Sequence, residues 1–411
     1  MPPPSSTFSP PCEAVASPCP EEAPLTKTMI SYGRQSIGDE DVQALLEAIR
    51  APLLTQGPTI ERFEEALAGL VGARYAVAVA NGTAALILAV RALDLPPGSA
   101  VVTTSNTFIA TVNAIILNGL RPVLCDLDPA TANLDLAHLA ALLEGDPTIK
   151  AILPVHFAGH PCPMAEIAAL AARHDCLVLE DACHALASSY GGIPVGSCRH
   201  SALTVFSFHP VKHITTGEGG AITTNDRGLR DRLARLRNHG IVRDLPSAPP
   251  WFYDVVEVGY NFRLTDLQAA LGLAQLGRSD HFLQRRRDLV RIYQDLLAGD
   301  RDLTLTLARL GTEPSWHLLV ARLTDPFLRE HKAELFALCA TAGVRLQVHY
   351  VPIHYHTCFV ERFGRPSLPA CEDYYRAALS LPIFPELEDG QVAEVVAVVR
   401  GAIAELREEQ A

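Results

Sequence analysis

Hydrophobic residues along the chain follow two spacings, one typical of helices and the other typical of buried strands. The segments "DEDVQALLEAIR" and "TIERFEEALAGL" repeat apolar residues three and four positions apart, which predicts two amphipathic helices. Short apolar runs follow, and helical patterns at 107–118, 135–144 and 163–174 separate them. The runs are "YAVAVA", "AVVTT", "RPVLCD", "KAILPVHF", "CLVLED" and "ALTVFSF". Continuous apolar strands between helices predict an α/β fold with many parallel strands, buried on both faces.

The chain divides into three predicted parts. Residues 1–28 are biased toward Pro and Ser, so we expect a disordered tail there. Residues 29–290 contain the strand and helix alternation and form the predicted large domain, with an irregular loop at 243–253. A helical region through "FLQRRRDLVRIYQDLLAG" then leads into a shorter α+β pattern. This change predicts a smaller C-terminal domain over residues 291–411.

Charge and cysteine content narrow the class of protein. The chain has 411 residues and a formal net charge of −12, which argues against partners such as nucleic acid or anionic membrane. Its apolar runs are too short to span a bilayer. Ten scattered cysteines include no C-x-x-C pair and no zinc-ligand spacing. We therefore expect a cytoplasmic protein with reduced thiols and no metal site.

Three strand patterns end in residues that suit different parts of one ligand. In "VAVANGTAALILAV", Gly82 and Thr83 begin a helix whose free N–H groups suit a phosphate, although an ordinary capped turn fits equally. Asp181 ends "CLVLED", where an acid either serves a site or caps a turn. Lys212 lies between an aromatic strand pattern and "TTGEGG". A partly buried lysine is a nucleophile toward carbonyls, whereas an exposed one is only a surface charge.

A phosphate-binding turn, an acid and a lysine follow one another in that order along the chain. Each is ambiguous alone, but together they fit the cofactor pyridoxal 5′-phosphate. This cofactor forms a Schiff base with a lysine and needs an acid beside its pyridine nitrogen and donors around its phosphate. Ser207, just before the lysine loop, is a further candidate donor. Ligands of parallel sheets collect at the carboxyl ends of the strands, where all five residues are expected.

Longer segments resemble the sugar-nucleotide aminotransferases of the DegT/DnrJ/EryC1/StrS family across residues 30–408. They are "YGRQSI", "LLTQGPTIERFEEALAGLVGARYAVAVANGTAAL", "TFIATVNAI", "PVHFAG", "EDACHALAS", "FSFHPVKHITTGEGGAITTND", "RLRNHGI" and "GYNFRLTDLQAALGLAQL". The resemblance implies the aspartate aminotransferase-like fold, that is fold type I of the pyridoxal-phosphate-dependent transferases. Its large domain has a mixed, mostly parallel sheet, and a smaller α+β domain follows.

The resemblance also implies roles for individual residues. Lys212 would carry the cofactor and move the proton during the reaction. The implied cofactor-binding residues are Gly82, Thr83, Phe108, Asp181, His184, Ser207 and Asn261. Asn261 would reach the cofactor phosphate from a neighbouring subunit. The family therefore implies a homodimer with shared active sites.

A second implied set would bind the sugar nucleotide. Its members are Tyr32, Pro52, Leu53, Leu54, Thr55, Gln347, Val348, His349 and Tyr350. Arg237 and Arg263 are candidates for neutralising the diphosphate, although surface arginines are an equally good interpretation. Pro52 and His160 depart from the family pattern, and both departures could alter sugar specificity.

The implied reaction moves an amino group from L-glutamate to C4 of a UDP-linked 4-keto-6-deoxy-N-acetylhexosamine. Amination of another nucleotide-linked keto sugar is an alternative. A related dehydratase would carry histidine in place of the lysine, so Lys212 argues against that activity. A non-catalytic sensor with the same fold is a third hypothesis, and it predicts no turnover.

Overall fold

A computed structural model describes residues 29–243, 245–246 and 248–408. The tail predicted over residues 1–28 lies outside the described residues. The α-helices are α1 (Asp39–Arg50), α2 (Pro58–Val71), α3 (Gly82–Ala92), α4 (Ile109–Leu117), α5 (Leu136–Gly145), α6 (Met164–Arg173), α7 (Arg227–Leu236), α8 (Asp266–Gly277), α9 (Ser279–Leu296), α10 (Pro326–Glu330), α11 (Lys332–Thr341), α12 (Thr357–Phe363), α13 (Pro369–Ala377) and α14 (Asp389–Glu408). Two 3-10 turns lie at Phe157–Gly159 and Ile353–Tyr355.

The strands are short, and most follow the apolar runs of the sequence. They are β1 (Tyr75–Val79), β2 (Ala100–Thr104), β3 (Arg121–Cys125), β4 (Ile149–Leu153), β5 (Leu177–Asp181), β6 (Ser189–Tyr190), β7 (Ile193–Pro194), β8 (Leu203–Ser207), β9 (Gly220–Thr224), β10 (Ile241–Val242), β11 (Asp254–Val255), β12 (Leu303–Leu305), β13 (Thr312–Glu313), β14 (Leu319–Leu323) and β15 (Ala378–Leu381). The run "KAILPVHF" gives a shorter strand than its length suggests. β4 ends at Leu153 because Pro154 has no N–H to donate to a neighbouring strand.

The main sheet positions the site. Within the described residues it has seven strands in the order β1-β9-β8-β5-β4-β2-β3. β8, β5, β4, β2 and β3 run parallel, whereas β9 is antiparallel to both of its neighbours. The mixed, mostly parallel sheet confirms the predicted fold class. It also brings the carboxyl ends of β5 and β8 to one edge, beside the turn that follows β1.

The C-terminal part contains a separate antiparallel sheet, β12-β14-β15, packed against α9, α11 and α14. The boundary predicted at residue 290 falls inside α9, whose two halves join different cores. Phe282 packs in the same core as Phe63, whereas Leu289 and Tyr293 pack in the C-terminal core. Ile30, which the sequence assigned to the large domain, also packs in the C-terminal core. The division into two domains stays a prediction, and α9 is a continuous helix that packs in both cores.

The described residues of the loop predicted at 243–253 lie at the tip of a two-stranded ribbon. Ile241 pairs with Val255, and Val242 pairs with Asp254. Trp251 at this tip is 78% exposed, although it is a large apolar residue. An apolar tip of this kind is typical of a surface that meets another chain.

Candidate active site

Most of the residues singled out in the sequence line one cavity of about 550 Å³ at the carboxyl edge of the main sheet. Those on its walls are Tyr32, Gly82, Thr83, Phe108, Asp181, His184, Ser207, Lys212, Gln347, Val348, His349 and Tyr350. We call Gly82, Thr83, Asp181, Ser207 and Lys212 the cofactor wall. Tyr32 and residues 347–350 form the substrate wall. Their placement together is an observation, whereas their roles stay predictions.

The turn between β1 and α3 forms the first part of the cofactor wall. Asn81 caps the helix, because its Oδ1 accepts a hydrogen bond from the N–H of Ala84 at 2.8 Å. The helical ladder begins when the N–H of Ala85 donates to Asn81 O at 3.0 Å. Gly82 and Thr83 precede that first bond, so their N–H groups lie at the positive end of α3.

Close packing at this turn requires glycine. A Cβ at Gly82 would lie 2.8 Å from the Cβ of Ser207, which brings the serine hydroxyl beside the start of α3. A Cβ at Gly220 would lie 2.6 Å from the carbonyl oxygen of Asn81. The two glycines let the turn, Ser207 and the start of β9 meet. Backbone amides and a hydroxyl at a helix N-terminus are the donors that a phosphate prefers.

The second part of the cofactor wall is Asp181 at the end of β5. Its Oδ2 accepts from the hydroxyl of Thr111 at 2.7 Å, and its Oδ1 accepts from the N–H of Cys183 at 3.1 Å. A carboxylate has further lone pairs, so it can still accept a bond from a ligand N–H. Glu180 points to the other face of the strand and pairs with His156 at 2.7 Å. Only the second of the two strand-end acids therefore serves the cavity.

Lys212 completes the cofactor wall. Its N–H donates to His209 O at 2.8 Å, which closes a turn after β8. The residue is half-buried, and its Nζ lies 3.5 Å from Nε2 of His317. Burial lowers the pKa of the Lys212 amine, and the Asp181 carboxylate opposes part of that shift. Because its pKa is lowered, more of the amine is neutral and nucleophilic near neutral pH.

His184 presents a neutral ring to the cavity. Its Nδ1 accepts from the N–H of Ala158 at 3.3 Å, so its proton lies on Nε2, which is 3.0 Å from the Tyr350 hydroxyl. Burial lowers the pKa of His184 well below its usual range, and the nearby Lys212 cation adds to this effect. His184 and Tyr350 are stacked with an interplanar angle of 29°. Two nearly parallel rings, with centroids 6.0 Å apart, therefore line this side of the cavity.

The substrate wall is built by residues distant in sequence. The rings of Tyr32 and His349 lie 5.5 Å apart, and Nδ1 of His349 is 2.9 Å from the hydroxyl of Ser380 on β15. Burial lowers the pKa of His349 to about 3, so this ring is neutral. Burial also raises the pKa of the Tyr32 phenol. The wall therefore offers neutral hydrogen-bonding groups, and Gln347 adds an exposed amide.

Several predicted residues do not line this cavity in the single chain. Asn261 and residues 52–55 are exposed and lie elsewhere. Arg237 donates to Glu64 at 2.5 Å and to Ala78 O at 2.7 Å, and Arg263 donates to Asn238 at 2.6 Å. Both arginines line a separate cavity of about 220 Å³. Within the described part of the chain, no arginine lines the main cavity.

His160, which departs from the family pattern, is buried outside the cavity. Its ring meets the indole of Trp316 edge to face at a centroid distance of 4.7 Å. Burial lowers the pKa of His160 to about 4. Any influence of this residue on the sugar would therefore act through Trp316 and the adjoining His317.

Sequence reasoning missed three residues that shape the site. Thr111 fixes the Asp181 carboxylate, Asn106 Oδ1 accepts from the N–H of Tyr350 at 3.2 Å, and His317 reaches Lys212. Asn106 and Thr111 lie within or beside the quoted segment "TFIATVNAI", yet no local spacing marks them as polar contacts. His317 lies two residues before the apolar strand β14, and a histidine near a strand was the only signal in the sequence.

The fold and the cavity together define a pyridoxal-phosphate-dependent aminotransferase. A solved structure with this architecture is PseC of Helicobacter pylori, an aminotransferase involved in the biosynthesis of pseudoaminic acid. It is 29% identical, covers 92% of this chain and 100% of its own, and has a TM-score of 0.87. A Streptococcus pneumoniae protein solved in its PLP form is 27% identical, with a TM-score of 0.85 over 92% of this chain and 99% of its own.

The chain belongs to the DegT/DnrJ/EryC1/StrS aminotransferase family, whose profile matches residues 35–400. The spore coat polysaccharide biosynthesis protein SpsC of Bacillus subtilis is 36% identical over 91% of this chain and 97% of its own length. The UDP-4-amino-4,6-dideoxy-N-acetyl-beta-L-altrosamine transaminase of Campylobacter jejuni is also 36% identical, over 87% of this chain and 93% of its own. The predictions of a sugar aminotransferase and of its pyridoxal phosphate cofactor are confirmed.

Proposed function

We propose that the enzyme transfers an amino group from L-glutamate to C4 of a UDP-linked 4-keto-6-deoxy-N-acetylhexosamine, giving UDP-4-amino-4,6-dideoxy-N-acetyl-β-L-altrosamine. The proposal is based on one observation: Lys212, Asp181 and the start of α3 line the same cavity. Likeness to the Campylobacter jejuni transaminase supports the choice of sugar. SpsC has the same identity, so a different nucleotide-linked keto sugar is the second candidate.

The cofactor wall fits pyridoxal phosphate. The N–H groups of Gly82 and Thr83 and the hydroxyl of Ser207 would bind the phosphate, since glycine packing brings them together. The free lone pairs of Asp181 would accept a bond from the pyridine nitrogen. His184 would lie against the ring plane, and Phe108, 56% exposed, would cover its edge.

When bound, pyridoxal phosphate withdraws electrons from the substrate carbon and so makes its proton acidic. Lys212 then acts as the base and the acid, taking the proton at its Nζ and returning it at a different atom. Its lowered pKa suits this role, because a neutral amine accepts a proton and the resulting ammonium readily releases it. The Asp181 carboxylate would favour the protonated form of the pyridine nitrogen.

A second copy of the chain is part of the proposal. The cavity holds no arginine among the described residues, yet the proposed substrate carries a diphosphate. Asn261 and residues 52–55 are exposed in one chain, as residues that serve a partner's site would be. Apolar side chains in the segment that leads to Asn261 are also exposed, such as Trp251 at 78% and Val258 at 79%. We propose that a homodimer covers them and completes both sites.

The substrate wall would hold the sugar nucleotide. Tyr32, Gln347, His349 and Tyr350 offer uncharged hydrogen-bonding groups that suit a sugar, and Val348 is half-buried between them. The proposal places the enzyme in the cytoplasm. The cysteines of the described residues are free thiols, as in a reducing compartment, and no helix in that part of the chain has the length and apolarity to cross a membrane.

The test is the visible absorption spectrum of the cofactor-loaded protein before and after adding UDP-4-amino-4,6-dideoxy-N-acetyl-β-L-altrosamine, which runs the sugar half-reaction backward. We expect the band of the lysine-bound cofactor to disappear, and release of the keto sugar to be detectable by mass spectrometry. The C4 epimer is the matched control. If only the epimer or a 3-amino sugar discharges the band, the second candidate is correct. If no UDP-linked amino sugar does, the proposed class of substrate is wrong.

A further inference from the structure

His317 lines the cavity but has no part in the chemistry described so far. It is 4% exposed, and its Nε2 lies 3.5 Å from Nζ of Lys212. Its other ring nitrogen, Nδ1, is buried and has no hydrogen-bond partner among the described residues. Leaving a buried polar nitrogen unpaired is costly, so an apolar residue would pack better there. The choice of histidine therefore points to the contact that Nε2 makes.

A buried cation holds the backbone of this histidine in place. Arg286 is 1% exposed, and its Nη1 donates to the carbonyl oxygens of Trp316 at 3.1 Å, His317 at 3.3 Å and Ile383 at 3.1 Å. Trp316 adopts a φ of 55°, a left-handed conformation that is rare for a bulky residue. The two N–H groups of Nη1 are shared among these three carbonyls, so one guanidinium fixes this unusual segment and with it the position of the His317 ring.

The imidazole of His317 is neutral. Burial lowers its pKa well below the usual range, and the cations of Lys212 and Arg286 further disfavour a second positive charge. Its ring lies 4.4 Å from that of His184 and 5.6 Å from that of His213, measured between centroids. A neutral imidazole has one nitrogen that accepts hydrogen bonds, whereas an amine or ammonium always has an N–H to donate. Nε2 is thus suited to accept from Lys212.

We propose that His317 is a positioning residue for Lys212: Nε2 accepts a hydrogen bond from the amine and holds it at one wall of the cavity whenever it is not bonded to the cofactor. This inference rests on the proposed role of Lys212 as the proton carrier. A held amine returns to the same place in every cycle. Misplacing a reacting group by about 1 Å can lower the rate by about 10²-fold, so fixing the position of the amine should have a measurable effect on the rate.

Neighbouring groups that titrate or carry charge also influence the pKa of Lys212 beside His317. The groups facing Lys212 and His317 that titrate or carry charge are Tyr32, Asp181, Cys183, His184, His209, His213, Glu218, Arg286, His349 and Tyr350. Substitutions at position 317 leave all of these in the chain. A change in the pKa of Lys212 in such variants therefore reports the lost acceptor.

The experiment measures the pKa of Lys212 in the full-length chain freed of cofactor. Trace acetic anhydride labels lysines at a series of pH values, and mass spectrometry gives the modified fraction of Lys212 and of the reference residue Lys150. An acceptor stabilises the ammonium, so His317→Phe should lower the pKa of Lys212 by about 1. His317→Gln places an amide oxygen near the Nε2 position and should restore most of the value.

Two results would overturn the proposal. One is a Lys212 pKa in His317→Phe that equals or exceeds that of the unsubstituted chain. The other is a glutamine variant that behaves as the phenylalanine variant does. Thermal unfolding checks that each variant is folded, and His317→Asn, whose shorter amide reaches only the Nδ1 position, replaces phenylalanine if that variant does not fold.

Kinetics of the cofactor-loaded enzyme give a second readout. We expect His317→Phe to lower kcat by about tenfold to 10²-fold with KM within about threefold, because positioning affects the reacting amine and not substrate binding. An unchanged kcat contradicts the proposal. The labelling result needs neither cofactor nor sugar, so it can succeed or fail independently of the proposed reaction.

Discussion

The two walls of the cavity are built in different ways. Every residue of the cofactor wall follows or ends a strand of one sheet, and the set spans residues 82–212. The substrate wall combines Tyr32, near the start of the described chain, with residues 347–350, of which Gln347 pairs with Ser380 on β15 of the C-terminal sheet. The five residues of the cofactor wall are therefore all positioned by one sheet of a single chain. The substrate wall depends on how the C-terminal part packs, and in the proposed dimer it also depends on a second copy.

The largest effect should come from removing the amine of the cofactor wall. We expect Lys212→Ala to lower the rate of amino transfer by at least about 10³-fold, because both the covalent attachment and the proton carrier are lost. The assay follows 2-oxoglutarate formed from glutamate, together with the absorption of the bound cofactor. Lys150→Ala, on β4 and outside the cavity, is the matched control and should retain normal turnover. Normal turnover by Lys212→Ala would remove the central claim.

Asp181→Asn should have the next largest effect. The asparagine keeps the shape and can still accept from Thr111, but its charge no longer favours a protonated pyridine nitrogen. We expect kcat to fall by about 10²-fold with the cofactor still bound. Thr111→Val removes only the orienting hydroxyl, so its loss should be smaller, about tenfold. A kcat for Asp181→Asn within about threefold of normal would show that the acid is structural.

A glycine substitution tests whether the cofactor wall binds the cofactor and has no effect on sugar-nucleotide binding. The Cβ of Gly82→Ala would meet Ser207 at 2.8 Å, so the phosphate donors must move apart. We expect the Kd for pyridoxal phosphate to rise by about tenfold or more, measured by fluorescence titration, while KM for the sugar nucleotide changes little. Gly69→Ala in α2 is the control, since among the described residues no atom lies within 4 Å of its Cβ position. Equal effects of the two substitutions would contradict a phosphate site at this turn.

The same contrast explains what the sequence could predict. Turn residues at strand ends are visible locally, and parallel strands bring their carboxyl ends to one edge, so Gly82, Asp181 and Lys212 could be placed together before the structure was known. His317 could not, because its contact with Lys212 joins residues 105 apart through the packing of two sheets. Thr111 is an ordinary helix residue by spacing, and only the position of α4 turns its hydroxyl toward Asp181.

The arginines show a further limit of prediction from the sequence, because their ion-pair partners are not visible in it. Sequence alone made Arg237 a candidate for neutralising the diphosphate because of its positive charge, with a surface arginine as an equally good interpretation. In the folded chain its guanidinium is occupied by Glu64 and the carbonyl of Ala78, an arrangement that depends on residues 173 and 159 positions away. Charge can be counted from a sequence, but the partner that neutralises it is decided by tertiary packing.

The smallest effect should come from the substrate wall. Tyr32→Phe removes one uncharged hydroxyl, and a single neutral hydrogen bond contributes about 0.5–1.5 kcal/mol, so KM for the sugar nucleotide should rise by about three- to tenfold. The Kd for pyridoxal phosphate should not change, since the ring of Tyr32 packs against His349 and not against the phosphate turn. Gly82→Ala is expected to do the opposite, that is to change the Kd for the cofactor and leave KM for the sugar nucleotide unaltered. If Tyr32→Phe instead weakens the binding of pyridoxal phosphate and leaves KM for the sugar nucleotide unaltered, the two walls do not bind cofactor and sugar separately. The assignment of residues 347–350 to the sugar would then also be wrong.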